Sequence, residues 1–250
     1  MKKIVTTAVF SVLLSACSQH SATEHHPHWG YHGDTSPAHW GTLAPEFATC
    51  ATGHLQSPVN LSSKAKRTKA DLQYHYSAVN YVMENNGHTL QLTPQSKIGN
   101  LTLNGKLYTL QQFHVHTPSE HTLDNKAFPM ELHFVHTSED GEISVVAVMF
   151  EQGKENPHLV QILAQTVKAG DNVALSEAIN VRNLFPKDLA HLRLKGSLTT
   201  PPCTEGVNWI VMEKPLQASA AQLRAMEKMI GMQNNRPLQA LGDRIVLGEK

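Results

Sequence analysis

Apolar and polar positions along the chain mostly follow the period of a β-strand. From Gln111 to Thr117 they alternate, with His114 and His116 on one face and Phe113 and Val115 on the other. Glu131 to His136 alternates as well: Glu131, His133 and Val135 point one way, Leu132 and Phe134 the other. Ile143 to Phe150 is a continuous, β-branched apolar run, the pattern of a strand buried on both faces. Leu72 to Tyr76, Thr89 to Thr93, Leu101 to Leu103 and Val207 to Met212 predict further strands. Helical spacing is found in two places. Pro157 to Lys168 puts Leu159, Ile162, Leu163 and Val167 on one side, with Pro157 at its start. Ser219 to Ile230 sets Leu223, Met226 and Ile230 in register, between a Ser suited to the N-cap and Gly231. The expected fold class is mostly β (α+β), a single domain with a large twisted sheet and a few surface helices.

The amino terminus follows another pattern. Lys2 and Lys3 precede an apolar, Ser- and Thr-containing run from Ile4 to Leu14. A bilayer takes about 20 residues, so this run is too short to span one and reads as a secretory signal. It ends Leu14-Ser15-Ala16-Cys17, which resembles a bacterial lipobox, a signal cut before a Cys that then carries lipid. Ordinary cleavage nearby, discarding Cys17, is the other reading. The organisation expected is residues 1–16 signal, 17–27 polar tether, and 28–250 one domain. Ser18, where an Asp would favour the inner membrane, points to the outer membrane of the cell envelope; a soluble periplasmic protein is the alternative. The tether reads as a solvated linker; the alternative is that His20, His25 and His26, with His28 and His32 beyond it, scavenge metal.

Composition narrows the chemistry. Lys plus Arg and Asp plus Glu each number 21, and this balance gives no electrostatic reason to bind nucleic acid or an acidic membrane; any membrane contact runs through the lipid. Apolar content of 40% excludes a disordered chain. There are 16 His but 3 Cys, so a four-thiolate metal site cannot form and any metal falls to His. Lipidation or loss of Cys17 leaves Cys50 and Cys203, an even pair for which an oxidising compartment predicts a disulfide. The sequence leaves the oligomeric state open, a dimer included.

The same-face pair His114 and His116 can reach one point in space, and His133, on a strand of the same kind, is the candidate third ligand. Three imidazoles leave one tetrahedral position open, as in a catalytic zinc site. His-x-His alone is a weak signal. Gln112 shares the face of His114 and His116, and Glu131 that of His133, where each can orient a liganding ring.

The stretches Gln112-Phe113-His114-Val115-His116, Ser119-Glu120-His121 and Glu131-Leu132-His133-Phe134-Val135-His136 resemble the α-class carbonic anhydrases. Further matches run in the same order: His28-Trp29-Gly30-Tyr31 with His39-Trp40, Gln56-Ser57-Pro58-Val59, Asn85-Asn86-Gly87-His88, Gly196 to Cys203, Val207-Asn208-Trp209 and Asn234-Asn235-Arg236-Pro237. The bacterial secreted branch is the nearest in character. The resemblance implies a central, mostly antiparallel ten-stranded sheet and reversible hydration of carbon dioxide to bicarbonate. It implies one zinc (Zn2+) per chain on His114, His116 and His133, carrying a hydroxide that attacks the substrate. Thr199 then accepts a hydrogen bond from that hydroxide and donates its own proton to Glu120. Gln112 and Glu131 become partners of the ligands. Val135, Val145, Leu198 and Trp209 become the wall that receives carbon dioxide, with Thr200 lining the same cleft. His88 becomes the proton shuttle and Tyr31 an organiser of cleft water.

Without the resemblance, Val135, Val145, Leu198 and Trp209 read as core, His88 as a surface turn residue and Tyr31 as packed under the amino-terminal segment. His121 reads as structural, and His136 faces away from His133. Thr117 stands where many animal relatives carry an aromatic residue. Two other function classes fit the composition: a zinc-free binding protein on the same fold, and a zinc-scavenging lipoprotein.

Overall fold

A computed structural model describes residues 27–96 and 99–250. The signal segment, Cys17 and all of the tether but Pro27 lie outside the described residues. One sheet dominates, and ten of its thirteen strands form a continuous path. In spatial order these are Asn172–Ala174, Tyr81–Asn85, Leu90–Pro94, Lys106–His116, Met130–Ser138, Ile143–Gln152, Glu205–Met212, His191–Ser197, Leu247–Glu249 and Lys66–Thr68. Pairing on the path is antiparallel except between Ile143–Gln152 and Glu205–Met212 and between Leu247–Glu249 and Lys66–Thr68. The expected single-domain, mostly antiparallel sheet is what the chain forms, with ten strands on its central path and three more paired off it.

The sheet is buried on both faces at its centre. On one face Phe113, Val115, Leu132, Phe134, Val146, Val148 and Ile210 join a core completed by Leu223, Met226 and Ile230 of the helix Ala220–Ile230. On the other, Val145, Ala147, Met149, Val207, Trp209 and Val211 form a second cluster. This is why Ile143 to Phe150 reads as a continuous apolar run: both faces of that stretch have left water.

Two elements depart from the expected bounds. The strand expected from Gln111 begins at Lys106, directly after Asn104 and Gly105, which carry φ of 50° and 76°. Asn-Gly with two positive φ values is the tight hairpin turn that joins it to Asn100–Leu103. The helix expected over Pro157 to Lys168 is a 3-10 turn, Pro157–Leu159, and one α-turn, Val160–Leu163. Val167 is still buried as its spacing suggests, but from irregular chain whose carbonyl accepts from Asn85 Nδ2 at 3.3 Å. Tertiary contact overrides a weak propensity here.

Candidate metal centre

Two adjacent antiparallel strands build the centre. Their register sets His114 directly opposite His133 and His116 opposite Glu131. Opposed residues share a face, so three imidazoles converge without any loop to place them. One nitrogen from each of His114, His116 and His133 lies within 4.8 Å of the other two. His116 and His133 are fully buried and His114 half-buried.

Each ring is fixed from behind. His114 Nδ1 donates to Gln112 Oε1 at 2.8 Å, and His133 Nε2 to Glu131 Oε1 at 2.9 Å. His116 Nδ1 donates to the main-chain carbonyl of Asn234 at 2.7 Å. A carbonyl or a carboxylate can only accept, so the proton of each neutral ring is assigned to the outer nitrogen. The lone pairs therefore sit on His114 Nε2, His116 Nε2 and His133 Nδ1. Burial pushes all three rings toward the neutral form, His116 to about 4; for His114 the neighbouring His116 and His133 add to the effect. His116 Nε2 is buried and has no hydrogen-bond partner among the described residues.

Glu131 holds more than one ligand. Its Oε1 also accepts from His121 Nδ1 at 2.8 Å, and its Oε2 accepts the main-chain N–H groups of Glu120 and His121 at 2.8 and 2.9 Å. Burial alone would raise its pKa, but His121, His133 and these hydrogen bonds hold it well below the usual carboxylate range. Glu120 ends differently. Burial pushes it up to about 7, against His133, the Arg236 N–H and the Thr199 hydroxyl, which pull it down. Its Oε1 accepts from Arg236 N at 2.8 Å, and its Oε2 lies 3.5 Å from His116 Nε2.

Beside the histidines stands an apolar ladder. Val145 pairs with Val135 on one side and Trp209 on the other, while small Ala147 lies opposite His133. Leu198 packs on the same cluster, and Val135, Leu198 and Thr200 are half-exposed. The segment carrying Leu198, Thr199 and Thr200 is clamped at both ends. Ser197 and Ser57 exchange hydrogen bonds at 2.9 and 3.2 Å, and Cys203 is disulfide-bonded to Cys50. A Cβ on Gly196 would overlap Ser57 Oγ and come within 2.7 Å of Trp209 Cδ1, so only Gly allows this approach.

At the rim, His88 is half-buried and stacks on Trp29, with ring centroids 3.8 Å apart. Tyr31 is buried against Trp29 and Trp40 in a small cluster that contains the disulfide. Burial, then the charge of Glu120, keeps its hydroxyl protonated. His136 lies behind the sheet plane, hydrogen-bonded to Tyr76 at 2.7 Å, and does not join the metal group.

Asn234 and Arg236 were not singled out from the sequence, although the block containing them was matched. The guanidinium of Arg236 is buried and donates to Cys50 O, Ser57 O and Gln56 Oε1 at 2.8–2.9 Å. Asn234 acts on His116 through its main-chain oxygen, which every residue type possesses and no motif can report.

The model of the eukaryotic-type carbonic anhydrase family matches residues 35–250. A carbonic anhydrase of Neisseria gonorrhoeae is 42% identical over 239 residues, 95% of each chain. The α-carbonic anhydrase of Thermovibrio ammonificans, solved with the inhibitor sulfanilamide, superposes with a TM-score of 0.86 at 40% identity, covering 89% of this chain and 99% of that one. The Photobacterium profundum α-carbonic anhydrase gives 0.83 at 43% identity, over 88% of this chain and all of its own. The shared fold, the length of the match and the three-histidine group on paired strands place this chain in the eukaryotic-type, or α, carbonic anhydrase family, as an enzyme of that family.

Proposed function

We propose that this chain catalyses the reversible hydration of carbon dioxide with one zinc held by His114 Nε2, His116 Nε2 and His133 Nδ1. The observation that carries the reading is the orphaned, buried Nε2 of His116, facing two further imidazole lone pairs that are fixed in position from behind. Three neutral nitrogens suit zinc and leave a ligand position free. Bound there, the ion supplies a Lewis acid that makes water nucleophilic near neutral pH, a chemistry for which carbonic anhydrase is itself the type example.

The chain's own residues do the rest. With its own proton directed at Glu120, the Thr199 hydroxyl has only lone pairs left toward the centre, so it orients a nucleophile by accepting a hydrogen bond from it. Val135, Val145, Leu198 and Trp209 offer a substrate without charge an apolar surface, and Thr200 lines its edge. Burial and the neighbouring His28 lower the pKa of His88. At neutral pH it is therefore a free base, ready to take a proton from the centre to bulk buffer. Tyr31, kept protonated, is a fixed donor for water on that route.

His116→Ala should lose zinc and carbon dioxide hydration together, measured by metal content and by stopped-flow assay with and without chelator. Undiminished hydration in the zinc-depleted variant would reject the assignment.

We further propose that Cys17 carries a lipid anchoring the domain in the cell envelope, in the outer membrane. The short apolar run before Leu-Ser-Ala-Cys and an oxidising compartment suited to the Cys50–Cys203 bond support this. Intact mass of the native protein should show an acylated chain starting at Cys17; a chain starting beyond it, without acyl mass, would reject the anchor.

A further inference from the structure

The sheet stops short of His88. Pairing between Leu90–Pro94 and Lys106–His116 is confined to Gln91 with His114 and Leu92 with Phe113. His88 lies three residues outside that ladder, in a turn formed by Asn86, whose Oδ1 accepts the N–H groups of His88 and Thr89 at 3.0 Å. Something else must set the turn against the metal strand.

Asn234 spans that gap. It is fully buried, and both N–H donors and the oxygen of its carboxamide are engaged. Nδ2 donates to His88 O at 3.0 Å and to Val115 O at 2.8 Å, while Oδ1 accepts from Thr117 N at 2.8 Å. Thr89 is the second tie: its hydroxyl donates to Val115 O and accepts from Val115 N at 3.1 Å. The His88 turn is thus fastened at His88 itself by one side chain, which also grips the strand on both sides of His116. On the far side the His88 ring rests on Trp29.

We propose that Asn234 is a positioning residue for proton transfer, its side chain setting His88 at a fixed distance from the metal centre. This rests on the shuttle reading of His88. No other residue type reproduces the contacts. Asp would turn an acceptor toward two carbonyls, Ala makes none of the three bonds, and Gln is a methylene too long. A proton relay is sensitive to placement, since misplacing a reacting group by about 1 Å can cost ~100-fold.

Proton release follows departure of bicarbonate, so it enters kcat and not kcat/KM. In dilute buffer, Asn234→Ala and the milder Asn234→Ser should lower kcat by on the order of tenfold, and kcat/KM by much less. Zinc content should stay at one per chain. Added imidazole should restore kcat, and the loss should vanish in a His88→Ala background. In the unmodified protein, NMR should find Asn234 side-chain protons that exchange slowly with solvent and lie next to the His88 carbonyl. Rapid exchange there, an unchanged kcat, a loss shared equally by kcat/KM, or a loss that persists without His88 would overturn the proposal. If His88→Ala itself shows no buffer dependence, the shuttle reading fails and this one with it. If His88→Ala does and the Asn234 variants do not, only the positioning role fails.

Discussion

Single residues at the centre are set by the neighbours of their polar atoms more than by their own type. Glu120 and Glu131 are both buried carboxylates, yet burial lifts one to about 7 while two histidines and four hydrogen bonds hold the other ionised. Thr199→Ala should keep zinc, since it is no ligand, and lose transition-state stabilisation of roughly 2.7–4 kcal/mol, as for removal of one preorganised polar group. Metal analysis beside hydration kinetics checks this; a full rate in the zinc-loaded variant would remove Thr199 from the mechanism. The candidate ligands were legible in the sequence because alternation puts His114 and His116 on one face and a second alternating strand carries His133. The partner of His116 was not, because it is a main-chain carbonyl brought from 118 residues away.

Among the elements, the helix Ala220–Ile230 was legible almost to the residue, because each of its ends has its own chemistry. Ser219 and Gln222 form a reciprocal capping box, and Gly231 closes the helix with φ of 82°. Pro157 to Lys168 has similar apolar spacing but no such stop, and it folds as two short turns. Spacing reports which residues will be buried; caps and turn residues report where the backbone changes. The same lesson applies to the Lys106–His116 strand, whose start is marked by Asn104-Gly105 and not by alternation. Ser219→Ala should cost about 1 kcal/mol of stability, read as a lower denaturant midpoint at constant slope, with hydration activity retained because the helix touches the opposite side of the sheet from the metal group. A midpoint unchanged within error would mean that packing of Leu223, Met226 and Ile230 alone holds this helix.

At the level of the whole molecule, the sheet separates the histidines of the metal centre, where His133 packs on Trp209, from His136, which lies behind it against Tyr76. Burial there pushes the pKa of His136 down to about 3, and no metal reading applies to it. An unfolded His titrates near 6.5, so between about pH 6.5 and 3 the unfolded chain binds a proton at this position that the folded chain refuses. Stability that is full above pH 6.5 must therefore fall as pH falls through that window, with a slope approaching ~1.4 kcal/mol per pH unit for each such histidine. The liganding histidines have the same sign, and zinc adds to it because protons compete with the metal for their nitrogens. Chelator-treated protein isolates the protein's share. Denaturant unfolding at pH 7.5, 6 and 5 should give a steadily falling free energy. His136→Gln, which keeps a polar partner for Tyr76, should flatten that dependence by about one proton. A slope identical to that of the unmodified chain would place the acid sensitivity elsewhere, in the histidines of the metal centre.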